Sequence, residues 1–184
     1  MNNEKIELIK RAINGDKLSL IELIKSEQNN IYTTLFYLKK DKDEISDIAQ
    51  NVLIKLSKKI GQLKNPNHFK SWLNQVIINT YYDYLRKNKN TNTVSLDSEK
   101  KFDIKDYKTN PQNSILYSEL DMIIKHSIEN LPLHYKIPIA LREIQGLSYS
   151  DISKITKSSI GTVKSRIARA RTIIQDKVNK YTKG

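Results

Sequence analysis

The stretch GLSYSDISKITKSSIGTVKSRIARAR, residues 146–171, decides the fold of the C-terminal part of this chain. Gly146 is placed to close one helix and Ser148 to cap the next, with Asp151 three residues on as the acceptor of a capping box. Ile152 and Ile155 make the inward pair of a short helix, and Thr156-Lys157-Ser158 reads as a turn. Ser158 or Ser159 then caps a second helix. In it Ile160, Val163, Ile167, Ala170 and Ile174 recur by three and four, which predicts an inward seam. At about 100° per residue the opposite face carries Thr162, Ser165, Ala168 and Arg169, flanked by Lys164, Arg166 and Arg171. A short capped helix, a tight turn and a helix with small, polar and basic outward residues predict a reader of the DNA major groove. Small residues let the backbone approach the bases, while the basic flanks hold phosphates. The competing reading is an ordinary solvated helix. Solvated helices usually mix both signs of charge, and no acid lies between Asp151 and Asp176.

The charge of the whole chain agrees. Its 184 residues carry a formal net charge of +12, which attracts polyanions because neutralised phosphates release their counterions. A general lysine enrichment would raise the charge evenly, so its distribution matters. Residues 91–113 are neutral, and residues 154–171 hold six basic side chains and no acidic one. Clustering of that kind is the footprint of phosphate contact.

Upstream, the pattern stays helical. Ile6, Ile9 and Ile13 share a helical spacing that Asn14-Gly15-Asp16 ends, with Gly15 able to take a left-handed cap. A second helix is expected over 17–38, with Leu20, Leu23, Ile24, Ile31, Leu35 and Leu38 as its apolar positions. Asp43 is the N-cap candidate of a third, carrying Ile45, Ile48, Ala49, Val52, Leu53 and Leu56 on one face. Residues 61–68, with Pro66, read as a loop, and a fourth helix begins near Phe69. Its seam is Phe69, Trp72, Leu73, Val76, Ile77, Thr80, Tyr84 and Leu85, which leaves Asn79, Tyr82, Asp83 and Arg86 outside. Residues 88–111 have few apolar anchors and many turn formers, so an exposed tether is expected there. Asn110 and Pro111 then suit the N-cap and first position of a new helix, striped by Ile115, Leu116, Leu120, Ile123 and Ile124. Another helix starts after Leu131-Pro132. The expected architecture is all-α: two small helical domains, 1–87 and 112–184, joined by a flexible linker over 88–111, the second being a helix-turn-helix.

Composition narrows the function. There is no cysteine, which removes a disulfide framework, a thiolate zinc site and a cysteine nucleophile together. His68, His126 and His134 are scattered without metal-ligand spacing. No phosphate-binding glycine loop or nucleophile elbow is present. No catalytic residue, cofactor or metal is expected, and the chain reads as no enzyme. No apolar run approaches the roughly 20 residues of a membrane span, and the first residues lack a signal peptide's apolar core. A cytoplasmic protein without membrane insertion is expected.

One resemblance joins both halves. Leu131-Pro132, then residues 141–152 and 161–171, closely resemble the domain with which sigma-70-type factors read the promoter −35 element, with Gly161-Thr162-Val163-Lys164-Ser165-Arg166 the most specific part. More narrowly the chain is similar to the small extracytoplasmic-function (ECF) subfamily. Asp47-Ile48-Ala49-Gln50-Asn51-Val52 resembles that family's polymerase-clamp helix, with Asn51 where the family usually has Glu. Residues 69–73, 78–80 and 83–86 resemble its −10 reading helix. The resemblance implies a factor that joins core RNA polymerase and reads promoter DNA, and an anti-sigma factor is a further partner it allows. It implies polymerase contacts at Asp47, Gln50 and Asn51. The −10 contacts would come from Asn67, Phe69, Asn79, Tyr82, Asp83, Arg86 and Lys87, with Asn67, Phe69 and Asn79 walling a pocket for an extruded base. The −35 contacts would come from Thr162, Lys164, Ser165, Arg166, Ala168, Arg169 and Arg171. The alternative is a conventional helix-turn-helix regulator that binds duplex DNA as a dimer without joining the polymerase. The Trp72 segment discriminates, because only the first reading needs a second DNA-reading block.

Overall fold

The structure, a computed structural model, describes residues 3–39, 41–91 and 119–182. Among these every regular element is helical. The first four helices are α1 (Asn3–Ile13), α2 (Lys17–Leu38), α3 (Lys42–Lys59) and α4 (Phe69–Thr91). Short 3-10 turns, Ile60–Gln62 and Pro66–His68, give residues 61–68 local order where a plain loop was expected. The local signals explain the boundaries. Gly15 sits at φ +90° after α1, and Asp16 accepts from the Leu18 amide to cap α2. The cap of α3 is Asp41, whose carboxylate accepts from the amides of both Asp43 and Glu44 at 2.9 and 3.0 Å. Asp43 therefore lies in the first turn and is not the cap.

Apolar faces of these helices converge on one core. Ile9, Leu23, Ile31, Leu35, Ile48, Leu56, Leu73 and Ile77 are fully enclosed, each contributing roughly 1.5–3 kcal/mol by leaving water. Polar groups are built into this core as well, Glu27 and the Tyr81 hydroxyl among them. Glu27 pairs with Lys5 at 2.5 Å, and the Tyr81 hydroxyl donates to the Leu38 carbonyl at 2.9 Å. Burial pushes that hydroxyl up to about 12, so it stays a donor at any ordinary pH.

The second domain comprises α5 (Glu119–Glu129), α6 (Leu133–Ile139), α7 (Tyr149–Thr156) and α8 (Ile160–Thr182). Its core joins Ile137, Leu141, Ile152, Val163, Ile167 and Ala170. Pro138 lies inside α6, where it has no amide to donate. The chain then widens into a π turn, Ala140–Ile144, in which the Gln145 amide reaches five residues back to the Ala140 carbonyl at 3.2 Å. Gly146 follows at φ +63°. The two domains touch: the C-terminal half of α2 meets α5 and the π turn, and α4 meets α7.

α4 continues to Thr91, four residues past the expected end of the first domain at 87. The rest of the expected tether, the Asn110 cap with Pro111, and Ile115 and Leu116 lie outside the described residues.

Candidate nucleic-acid interface

The helix-turn-helix is built as its sequence directs. Ser148 Oγ accepts from the Asp151 amide at 3.0 Å and donates to the Asp151 carboxylate at 2.6 Å, tying off the start of α7. At its end Lys157 takes the left-handed conformation, φ 50°. The Ser158 amide then donates to the Ser153 carbonyl at 3.1 Å, the closure of a Schellman turn. The turn is thus Lys157-Ser158-Ser159, one residue later than expected. Ser159 Oγ accepts from the Thr162 amide at 3.1 Å and so caps α8.

On α8, Val163, Ile167 and Ala170 are buried and Ile174 is half-buried. Ile160 is 45% exposed and leaves the expected seam, because the first turn projects past the end of the core. The outward side chains divide by what they touch. Lys164, Ser165, Ala168 and Arg169 are exposed, with the Lys164 ammonium 5.7 Å from the Tyr149 ring centroid. Thr162 is half-buried, its hydroxyl 2.8 Å from that of Ser159. Arg166 is half-buried and donates to Ser158 Oγ at 2.9 Å. Arg171 donates twice to Glu143, at 2.6 and 3.1 Å, and that carboxylate raises its pKa. Arg171 therefore braces α8 against the π turn. Tyr149, not singled out by sequence, is the platform of this surface: Arg142 stacks over it at 4.7 Å and Lys164 lies beside it. Nothing in a helical periodicity marks a ring that gathers cations from two other elements.

In the first domain, Asp47, Gln50 and Asn51 are exposed on one face of α3, the Asn51 amide donating to the Asp47 carbonyl at 2.9 Å. Of the expected −10 residues, Asn67, Asn79, Asp83, Arg86 and Lys87 are exposed. Phe69 is 1% exposed; its ring packs in the core beside Trp72, so the base wall expected of it is enclosed. Ten residues of helix separate Asn79 from the start of α4, an axial rise on the order of 15 Å at 1.5 Å per residue. Asp83 accepts from Lys55 at 2.8 Å and from Arg86. The Lys55 contact holds its carboxyl below the ordinary range; burial opposes it, and the Arg86 contact adds to the lowering. It thus anchors Arg86 and joins α4 to α3. Tyr82 is half-buried and its hydroxyl is pushed up by burial, with Arg166 opposing. Gln75, missed by sequence, donates to the Asn79 side-chain carbonyl at 3.0 Å.

Both halves match known protein families. The model described as Sigma-70 region 2 matches residues 23–91, and the one described as Sigma-70, region 4 matches residues 121–174. The chain is 35% identical over 179 residues to the ECF RNA polymerase sigma-E factor of Haemophilus influenzae, covering 93% of each. It is 30% identical over 175 residues to the RNA polymerase sigma-H factor of Pseudomonas aeruginosa, covering 91% of this chain and 90% of that one. Two solved structures share its fold. CnrH in complex with the cytosolic domain of CnrY superposes with a TM-score of 0.65 at 14% identity, over 96% of this chain and 97% of that one. The sigma factor RpoE of Bartonella quintana, in complex with the anti-sigma factor NepR, superposes with a TM-score of 0.66 at 22% identity, over 86% and 95%.

Proposed function

The chain belongs to the sigma-70 family, in its ECF subfamily, and from that premise we propose which of its surfaces meets which partner. As a sigma factor it binds core RNA polymerase and directs initiation at promoters through their −35 and −10 elements. The observation that carries this is the ordered pair of sigma regions on one chain, the second folded as a capped helix-turn-helix with a basic outer face. A dimeric regulator would have no use for the first domain.

In our reading the −35 surface is the exposed face of α8: Lys164, Ser165, Ala168 and Arg169, with Thr162 at its edge. Arg166 and Arg171, each already holding a partner, position this helix or touch phosphate and do not read bases. The −10 surface is Asn79, Arg86 and Lys87 on α4, with Tyr82 beside them and Asn67 in the turn before the helix. Asp83 orients Arg86. Asp47, Gln50 and Asn51 face the polymerase. The protein acts in the cytoplasm, where the polymerase is, and among its described residues no helix is long and apolar enough to cross a membrane. An anti-sigma factor, as in the RpoE–NepR complex, would be its natural regulator. As a domain division we assign 1–91 to the first domain and the region from α5 onward to the second.

Run-off transcription with core polymerase on the chain's own genomic upstream region tests the function. A discrete transcript that requires the protein is expected. Tight, sequence-specific duplex binding by the protein alone, with no effect on polymerase, would restore the regulator reading.

A further inference from the structure

Lys55 stands on α3, one helical turn after Asn51, yet its ammonium reaches across to α4. Its Nζ donates to Asp83 Oδ2 at 2.8 Å. The other oxygen of that carboxylate, Oδ1, accepts from one terminal nitrogen of Arg86, three residues further along α4. Two cations thus share one acid, each on its own oxygen. The Arg86 side chain is 76% exposed, which leaves the rest of its guanidinium open to solvent.

This division has a chemical consequence. A guanidinium presents five N–H donors in a fixed fork. A carboxylate free to use both oxygens closes on that fork with two parallel hydrogen bonds, the strongest pairing between the two groups. Such a closure would occupy a whole edge of Arg86 with an acid of its own helix. Lys55 opposes it by holding Oδ2. Asp83 then keeps a single hold on Arg86, enough to set its direction while donors remain for a phosphate. Neither helix alone calls for this arrangement, since Lys55 and Asp83 stand 28 positions apart.

We propose that Lys55 is a positioning residue for promoter binding: by engaging one oxygen of Asp83 it keeps Arg86 singly tethered and available to the backbone of the −10 strand. The proposal rests on the reading of Arg86 as a −10 contact. The effect of Lys55 passes through Asp83 and then Arg86. Residues that act through one network are non-additive, so double variants reveal that order.

Full-length variants are assayed at limiting holoenzyme on the promoter mapped by run-off transcription, with permanganate reactivity read over a series of salt concentrations. An exposed ion pair adds little to folding, so Lys55→Gln should melt close to the parent and bind core polymerase as the parent does. It should nonetheless lower opening by about fivefold and flatten the salt slope by about 0.7, the share of one phosphate contact on a single strand. Arg86→Ala should do both to at least the same degree. Lys55→Arg keeps a cation on Asp83 and should restore most of the opening. In an Arg86→Ala background, and independently in an Asp83→Asn background, Lys55→Gln should change opening by less than about twofold.

Parent-level opening by Lys55→Gln beside a defective Arg86→Ala overturns the proposal and leaves the −10 reading standing. Parent-level opening by Arg86→Ala removes Arg86 from the −10 surface, and the proposal goes with it. A Lys55→Gln defect that persists with Asp83→Asn makes Lys55 a DNA contact in its own right. One that persists only with Arg86→Ala reduces it to a counter-charge for Asp83, and either result overturns the tether. So does a Lys55→Arg variant as defective as Lys55→Gln. A melt several degrees early, or weakened polymerase binding, makes Lys55 a structural or polymerase-facing residue and overturns it as well.

Discussion

Replacing Asn79 by alanine separates strand opening from docking, and the structure bounds both effects. The side chain is exposed, and its one contact is the hydrogen bond from Gln75 a turn away on the same helix. Such a pair is worth about 0.2–0.5 kcal/mol. In a domain of this size a loss of that order lowers the melting temperature by roughly 1–4 °C, and polymerase binding through the distant face of α3 should not change. A lost contact to a base edge costs about 1–3 kcal/mol, or roughly a 5- to 150-fold drop in the opening equilibrium. Permanganate reactivity of unpaired thymines reads that equilibrium directly. On duplex promoter DNA, where opening competes with stacking and pairing, the defect should show in full. On a template already mismatched across the −10 region, opening is nearly complete beforehand, so the same loss should be partly hidden. Wild-type reactivity of the variant on duplex DNA would remove Asn79 from the site. An equal loss of polymerase binding would make it a structural residue.

Arg169→Ala and Lys164→Ala should both lower promoter use through the −35 element in a transcription assay. The one that contacts a base relaxes preference at a single position by about 1–3 kcal/mol, while a phosphate contact weakens all sequences alike and flattens the salt slope by about one. Ile167, buried between α8 and the domain core, should cost about 2–5 kcal/mol on truncation to alanine, read as an early melt of the second domain by calorimetry. Asp83 supplies a pH test. Its carboxyl is held down by Lys55 and then Arg86, so its stabilisation is present above the ordinary carboxylate range and is lost as pH falls through its depressed value. Asp83→Asn should therefore melt slightly earlier than wild type at pH 6, and the two melting curves should converge in acid. A gap that persists unchanged to low pH would mean the ion pairs contribute nothing.

Most helices were legible because each rests on local chemistry. Gly15, Gly146 and the Ser148–Asp151 box mark boundaries through interactions within a few residues, and the three-four spacing of Val163, Ile167 and Ala170 is the core itself. The misreadings have local causes too. Asp41 and Asp43 offer the same carboxylate two positions apart, and only geometry picks the one that reaches two amides. Residues 88–91 looked like tether by composition, yet contain no glycine or proline to stop a helix. Phe69 was read both as core and as a base wall, and burial decides for the core. What no local pattern could reveal is the seam between the domains, since Gln145 and Thr34 stand 111 positions apart and each looks like an unremarkable polar residue in its own helix.

The π turn at Ala140–Ile144 makes that seam sensitive to chain length more than to side-chain identity. Such a turn accommodates one residue more than an α-helix would over the same rise. Removing any one of the five would let the segment relax to ordinary helix and turn everything beyond it by about 100°. Gln145 would swing away from Thr34 and Glu143 away from Arg171, while the hydrophobic pattern of α7 and α8 stayed intact. The phase between α6 and the helix-turn-helix is therefore carried by a single inserted residue, and a one-codon deletion there would break the second domain's own core, where α8 packs on α5 and α6.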